Sequence, residues 1–147
     1  LFAGKKVDKI LTIEASGISI ACLTAIYFGL PVLFAKKSAG SNMDKDMYET
    51  EVHSYTHNKT NHVVASKKYL SRGEHILIMD DFLANGCAVE GLIELVKQAG
   101  GIVEGVGICI EKGFQEGGDR LRQKGYDLKS LAIIEKMDAA TGTITFR

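Results

Sequence analysis

The sequence predicts an α/β protein built on an open, mainly parallel sheet flanked by helices. The run Ile76-Leu77-Ile78-Met79 has no polar alternation, the habit of a strand buried on both faces. Strand-like and helix-like stretches alternate along the chain, and strand–helix–strand order demands right-handed crossovers between parallel strands. At 147 residues the chain is one domain by length, large enough to bury a real core.

The elements follow in order. Leu1, Phe2 and Ala3 read as the end of a helix stopped at Gly4, and residues 7–13 as a first strand. Residues 14–17 form the loop at its carboxyl end. A helix over 18–28 is apolar nearly all round, which predicts burial, with Ser16 as its N-cap. Gly29 and Pro31 end it, and a short strand follows at 32–35. From Lys36 to Asn61 small, polar and charged residues make a connection too long for a compact domain, so a lid over about residues 37–62 is expected. Within it, residues 48–56 alternate like a strand that pairs with 63–65 across 58–61, a mobile hairpin over the site.

After the central strand comes the best-patterned helix. Val89, Leu92, Ile93 and Val96 form its apolar face, Glu90 and Lys97 face water, and Gly100-Gly101 stops it. Residues 102–110 are another buried strand, in which Gly105 and Gly107 let something pack close. A weak helix at 119–124, a last parallel strand at 128–134 and a short strand at 143–147, folding back past a turn at Ala140-Thr141-Gly142, complete the chain.

Composition excludes several classes of function. The 18 basic and 18 acidic side chains cancel, so no general field draws the protein to nucleic acid or membrane, and any anion site must be local. The longest apolar run, near 18–23, is too short to span a bilayer. Three cysteines, odd in number and without metal-ligand spacing, fit reduced thiols in a cytoplasm. Cys22 and Cys109 read as core filler, whereas Cys87 lies in a candidate ligand loop. His53, His57 and His62 have no companion that completes a metal set, so no protein-held metal is expected.

The chemistry concentrates where the central strand ends. Asp80 and Asp81 are followed by a loop, Ala84-Asn85-Gly86-Cys87-Ala88, and then by the helix, at the carboxyl edge where open α/β sheets bind ligands. Main-chain N–H groups of that loop and the positive end of the helix can cradle a phosphate. Carboxylates repel phosphate but accept hydrogen bonds from vicinal hydroxyls. A phosphate on one side and hydroxyl acceptors on the other describe a ribose 5-phosphate; the plainer alternative is that the acids only cap the following helix.

Asp80 to Ala88 resembles the phosphoribosyl pyrophosphate (PRPP) signature of the type I phosphoribosyltransferase family: an apolar strand, two acids, two spacers, then Ala-Thr-Gly-Gly-Thr. This chain departs from it at Asn85, Cys87 and Ala88. The Ala-Asn-Gly variant is similar to that of the family's bacterial xanthine-using branch, and the likeness continues through Glu14-Ala15-Ser16-Gly17 and Ile110-Glu111-Lys112. The resemblance implies the type I phosphoribosyltransferase fold and purine salvage: xanthine, with guanine or hypoxanthine as weaker substrates, reacting with PRPP. It also implies Mg²⁺ bound mainly through PRPP, and a homodimer.

The resemblance also implies roles for individual residues. Asp80 and Asp81 are the expected catalytic acids and residues 84–88 the 5′-phosphate loop. Glu14, Ala15 and Ser16, with Lys36 and Lys37, are expected at the pyrophosphate, though an N-cap and a solvated turn explain these stretches equally well. Lys112, with three donors and no acceptor, suits an oxopurine, and Phe114 is a candidate to stack on the base. Hypoxanthine-type relatives carry an acid where this chain has Ala84, so no general base is visible. The chain opens on Leu1, and the resemblance implies a preceding hood segment, expected to be absent here. A PRPP-sensing regulator of the same fold, without turnover, is the alternative.

Overall fold

A computed structural model describes residues 1–38, 45–54 and 59–147. Eight strands form one sheet: β1 (Lys9–Ile13), β2 (Val32–Ser38), β3 (Met47–Ser54), β4 (Lys59–Ser66), β5 (His75–Leu83), β6 (Ile102–Lys112), β7 (Leu128–Asp138) and β8 (Thr143–Phe146). Their order is β3-β4-β2-β1-β5-β6-β7-β8. The central run from β2 to β7 is parallel, while β4, β3 and β8 pair antiparallel at the edges. The helices are α1 (Gly17–Phe28), α2 (Cys87–Gln98) and α3 (Gly117–Gln123), and a 3₁₀ turn spans Lys67–Tyr69.

Strand alternation divides the core. Leu11, Ile76 and Ile78 face α2, where Val89, Leu92, Ile93, Leu95 and Val96 cover them. Ile10 and Leu77 face the other way, toward Ala21 and Ala25 of α1. The α2 stripe is therefore buried as its periodicity predicts.

The α1 prediction fails. Only Gly17, Ala21 and Ala25 of that helix are buried, and Leu23, Ile26 and Tyr27 are 67%, 79% and 76% exposed. A helix lying on one face of a sheet buries one stripe, whatever the composition of its other sides. Cys22 is accordingly exposed rather than core, and Cys109 is only half-buried. The start of the chain also differs: residues 1–3 are not helical, and Gly4 turns the chain at φ +82°. Phe2 is nevertheless anchored. Its ring lies over Gly105 and Gly107, where a β-carbon would come within 2.5 and 3.1 Å of it respectively.

The hairpin at the sheet edge is shifted from its expected register. Val52 pairs with Asn61 and Ser54 with Lys59, so residues 59–61 lie in the strand and the connection falls at 55–58, outside the described residues. Lys36 and Lys37, expected just past a strand, are inside β2, which joins the hairpin through Lys37↔Val63. The hairpin is thus an extension of the main sheet. It also packs on α2, because Gly91 leaves room for Val52: a β-carbon at Gly91 would collide with Val52 Cγ2.

That contact is testable. Gly91→Ala gains about 1 kcal/mol of helix propensity but overpacks Val52 at a cost of about 1–3 kcal/mol. Urea unfolding is expected to show a net loss in the wild-type background and a net gain in Val52→Ala. Equal effects in both backgrounds would show that the two residues do not meet.

Candidate active site

The carboxyl ends of β1, β5 and β6 meet at one edge because these strands are parallel and nearly in register: Leu11 lies beside Ile78, and Leu83 beside Glu111. Three connections therefore converge there. The turn after β1 carries Glu14, Ala15 and Ser16, the turn after β5 carries residues 84–88, and β6 ends on Lys112.

A cleft of about 230 Å³ opens at this edge. Asp80, all of Ala84, Asn85, Gly86, Cys87 and Ala88, and Lys37 line it, facing Val52, His53 and Asn61 of the hairpin. Residues 84–88, one of the two acids and one of the two lysines singled out in the sequence are thereby brought together. Lys36 does not line the cleft, since neighbouring residues on a strand point to opposite faces. Glu14, Ala15, Ser16, Asp81 and Lys112 also lie outside its lining, around the same edge.

The loop has the construction an anion needs. Gly86 occupies the position before α2 with φ +81°, a left-handed conformation that suits glycine, and no side chain caps the helix. The N–H groups at the α2 start are thus left for a ligand. The acids stand inside β5, which runs on to Leu83, rather than at its end. They do not cap α2; the Asp81 N–H donates to Asp80 Oδ1 at 3.0 Å.

Asp80 is only 5% exposed. Burial, with the adjacent Asp81 charge adding to it, raises its pKa to about 7, against the lowering effects of the Asp81 N–H and of Lys37. Near neutrality its carboxyl is poised to accept or donate a hydrogen bond to a hydroxyl. Beside it the buried Thr12 Oγ1 has no hydrogen-bond partner among the described residues. Gly17 closes over both, since a β-carbon there would run into Thr12 Oγ1 and lie 2.8 Å from Asp80 Oδ1. Thr12 was not predicted, because a threonine in a strand gives no sign of what its hydroxyl faces.

The first loop is held differently from expectation. Ser16 has helical backbone angles and makes no side-chain cap, so it is not the N-cap hydrogen bond the sequence suggests. The Glu14 carboxylate instead accepts the Lys37 N–H at 2.6 Å, tying this loop to β2, and the Glu14–Ala15 peptide is cis.

Two ion-pair networks brace the edge, and neither was visible in the sequence. Glu90, expected in solvent, receives Arg120 through Nε and Nη2, both at 3.1 Å, and Lys124 at 2.6 Å. Burial pushes its pKa up, but these partners outweigh burial and hold the carboxyl below its usual range. Glu111, 2% exposed, accepts both Arg122 Nη1 and Nη2 at 2.7 Å and the Ser130 hydroxyl, directly beneath the strand end that carries Lys112. Lys112 is half-buried and Phe114 exposed. Of the three histidines between residues 53 and 62, His62 Nδ1 pairs with Glu49 at 2.7 Å, His53 lines the cleft, and His57 lies outside the described residues.

A glycine-bearing loop at a helix start, a buried acid and a lysine at the carboxyl edge of a parallel sheet make up the kind of crevice in which open α/β proteins bind ligands. The chain matches the phosphoribosyl transferase domain over residues 2–140 and belongs to that family. It is 60% identical over 147 residues to a xanthine phosphoribosyltransferase of Bifidobacterium adolescentis, covering 99% of this chain and 76% of that protein. A xanthine phosphoribosyltransferase of Lachnoclostridium phytofermentans is 54% identical, with 100% and 76% covered. Among solved structures, an adenine phosphoribosyltransferase of Thermoanaerobacter pseudethanolicus superposes with a TM-score of 0.77 at 27% identity, over 90% of this chain and 73% of that one. The corresponding enzyme of Rhodothermus marinus, at 22% identity and a TM-score of 0.79 over 90% and 73% of the two chains, shares the fold.

The Asp80 environment gives a stability prediction. Between about pH 4 and 7 the folded protein keeps a proton on Asp80 that the unfolded chain releases, so this group's contribution to stability falls as pH rises through that window. Asp80→Asn removes the titration. The variant is expected to lose less stability than wild type between pH 4.5 and 7.5, by about 4 kcal/mol at most. Parallel pH profiles in urea unfolding would contradict the assignment.

Proposed function

We propose that the chain is a purine salvage transferase that converts xanthine and PRPP to xanthosine monophosphate and pyrophosphate. The observation that carries this reading is the joint one: relatives named for that activity span nearly the whole chain, and the cleft unites residues 84–88 with Asp80 and Lys37. The alternative of a PRPP-sensing regulator draws no support from these relatives, which are named as transferases. The adenine-using structural neighbours support the fold and do not decide the base.

The main-chain N–H groups of residues 84–88 hold the 5′-phosphate, aided by the α2 dipole. Asp80 and Asp81 receive the ribose hydroxyls. Glu14, Ala15 and Ser16 face the pyrophosphate, and Lys37, with Lys36 at longer range, offsets its growing charge. The sugar–oxygen bond breaks with its electron pair leaving on pyrophosphate. A purine nitrogen bonds to the resulting oxocarbenium-like carbon, and its proton passes to water. Ala84 cannot take that proton, and xanthine, acidic for a purine, has less need of a base. Positioning and electrostatics therefore supply most of the catalysis.

The neighbouring carboxylates of Asp80 and Asp81 are hard oxygen donors of the kind Mg²⁺ prefers, and Mg²⁺ sites commonly combine one or two carboxylates with substrate phosphates. That donor set fits Mg²⁺ carried in on PRPP. When bound there, the ion neutralises pyrophosphate charge. Lys112 at the β6 end donates to a purine oxygen, and the hairpin strands β3 and β4 wall the cleft through Val52, His53 and Asn61. A homodimer in the cytoplasm is the setting proposed; the apolar face at Leu23, Ile26 and Tyr27 supports such an assembly.

Steady-state assays with xanthine, guanine, hypoxanthine and adenine test the reading. Xanthine is expected to be used best and adenine least; turnover of adenine alone would refute the role of Lys112. Asp81→Asn is expected to raise KM for PRPP by about tenfold or more, and Lys112→Ala to do the same for xanthine. Indistinguishable kinetic profiles of the two variants would mean that the roles are not separate.

A further inference from the structure

The loop assigned to the 5′-phosphate is held from behind by α3. Arg120 donates from Nη2 to the main-chain oxygen of Asn85 while its Nε and Nη2 grip Glu90, both at 3.1 Å. Lys124 completes the cluster on Glu90 at 2.6 Å. The α3 backbone presses on the same loop: a β-carbon on Gly117 would collide with the Ala84 oxygen and lie 2.7 Å from Asn85 C and Gly86 N. Gly86 and Gly117 are matched in this respect, for a β-carbon on Gly86 would come 3.2 Å from Gly117 Cα. Arg120 does not line the cleft.

We propose that Arg120 is a positioning residue for phosphate binding, which it serves by fixing the orientation of the Asn85–Gly86 peptide and by neutralising Glu90. The geometry supplies the reason. In a trans peptide the carbonyl of one residue and the N–H of the next point in opposite directions. With the Asn85 oxygen turned outward onto Arg120, the Gly86 N–H is turned toward the cleft, where a phosphate oxygen would accept it. Glu90 stands in the first turn of α2, the wrong place for an uncompensated negative charge when a phosphate must dock at that helix start. A guanidinium fork satisfies the carbonyl and the carboxylate at once. A lysine cannot match it, because its ammonium is a point charge without the planar fork.

The inference rests on the reading of residues 84–88 as the phosphate site, and the test separates the two. Ribose 5-phosphate binding is measured by calorimetry for wild type, Arg120→Ala and Arg120→Lys, beside KM and kcat for PRPP and xanthine. Thermal unfolding of each variant accompanies these measurements. Arg120→Ala is expected to weaken ribose 5-phosphate binding and raise KM for PRPP by about ten- to hundredfold. KM for xanthine stays within about twofold and kcat changes less than KM. Arg120→Lys, which keeps the charge and is the milder change for folding, is expected to recover only part of the loss. Full recovery in Arg120→Lys would reduce the residue to a charge and overturn the proposal. Unchanged binding in Arg120→Ala would overturn it while leaving the phosphate site standing. Failure of wild type to bind ribose 5-phosphate would remove the phosphate site and the proposal together.

Discussion

The parallel pairing of β5 between β1 and β6 is the constraint from which the site follows. Parallel strands bring their carboxyl ends to the same edge, so the segments that leave them are neighbours in space although Gly17, Asp80 and Lys112 are far apart in sequence. The buried Ile76, Leu77 and Ile78 hold that register through burial on both faces, and a slip of one residue would exchange the two cores. Asp80 is carried into low dielectric by the same strand. Its raised pKa is thus a consequence of where the sheet ends.

Close backbone approach is the second theme. Gly17 lies on Thr12 and Asp80, Gly91 on Val52, and Gly117 on the Ala84–Gly86 backbone. Each brings a different element to the site: α1 to the acid, the hairpin to α2, and α3 to the loop that precedes α2. A side chain at any of these points would require movement in the element that shapes the cleft. The glycines in question are not turn residues, and their need comes from space rather than from backbone angle.

Much of this was legible in the chain. Unbroken apolar runs placed the buried strands, the 3.6-residue period placed the apolar stripe of α2, and the strand–acid–loop–helix order pointed to the edge where the cleft opens. What stayed hidden depended on partners distant in sequence. Glu90 reads as a solvent-facing residue of a well-patterned helix, and only the fold brings Arg120 and Lys124 to it. The fully apolar α1 reads as buried because composition records what a side chain prefers and not how many neighbours the architecture provides. The hairpin register was misplaced because polar residues such as Asn61 resemble a turn, whereas pairing along β3 continues through them. Lys36 and Lys37 could not be told apart until β2 was seen to run through both.

The Glu111–Arg122–Ser130 network beneath the end of β6 has a consequence for how such proteins diversify. The foundation is satisfied by its own partners and makes no demand on the neighbouring Lys112 side chain. Exchange of Lys112 can therefore alter the chemistry of the rim while the strand below stays seated. An architecture of this kind separates the part that endures from the part that can vary, so that a surface can change its chemistry by a single replacement across an unchanged frame.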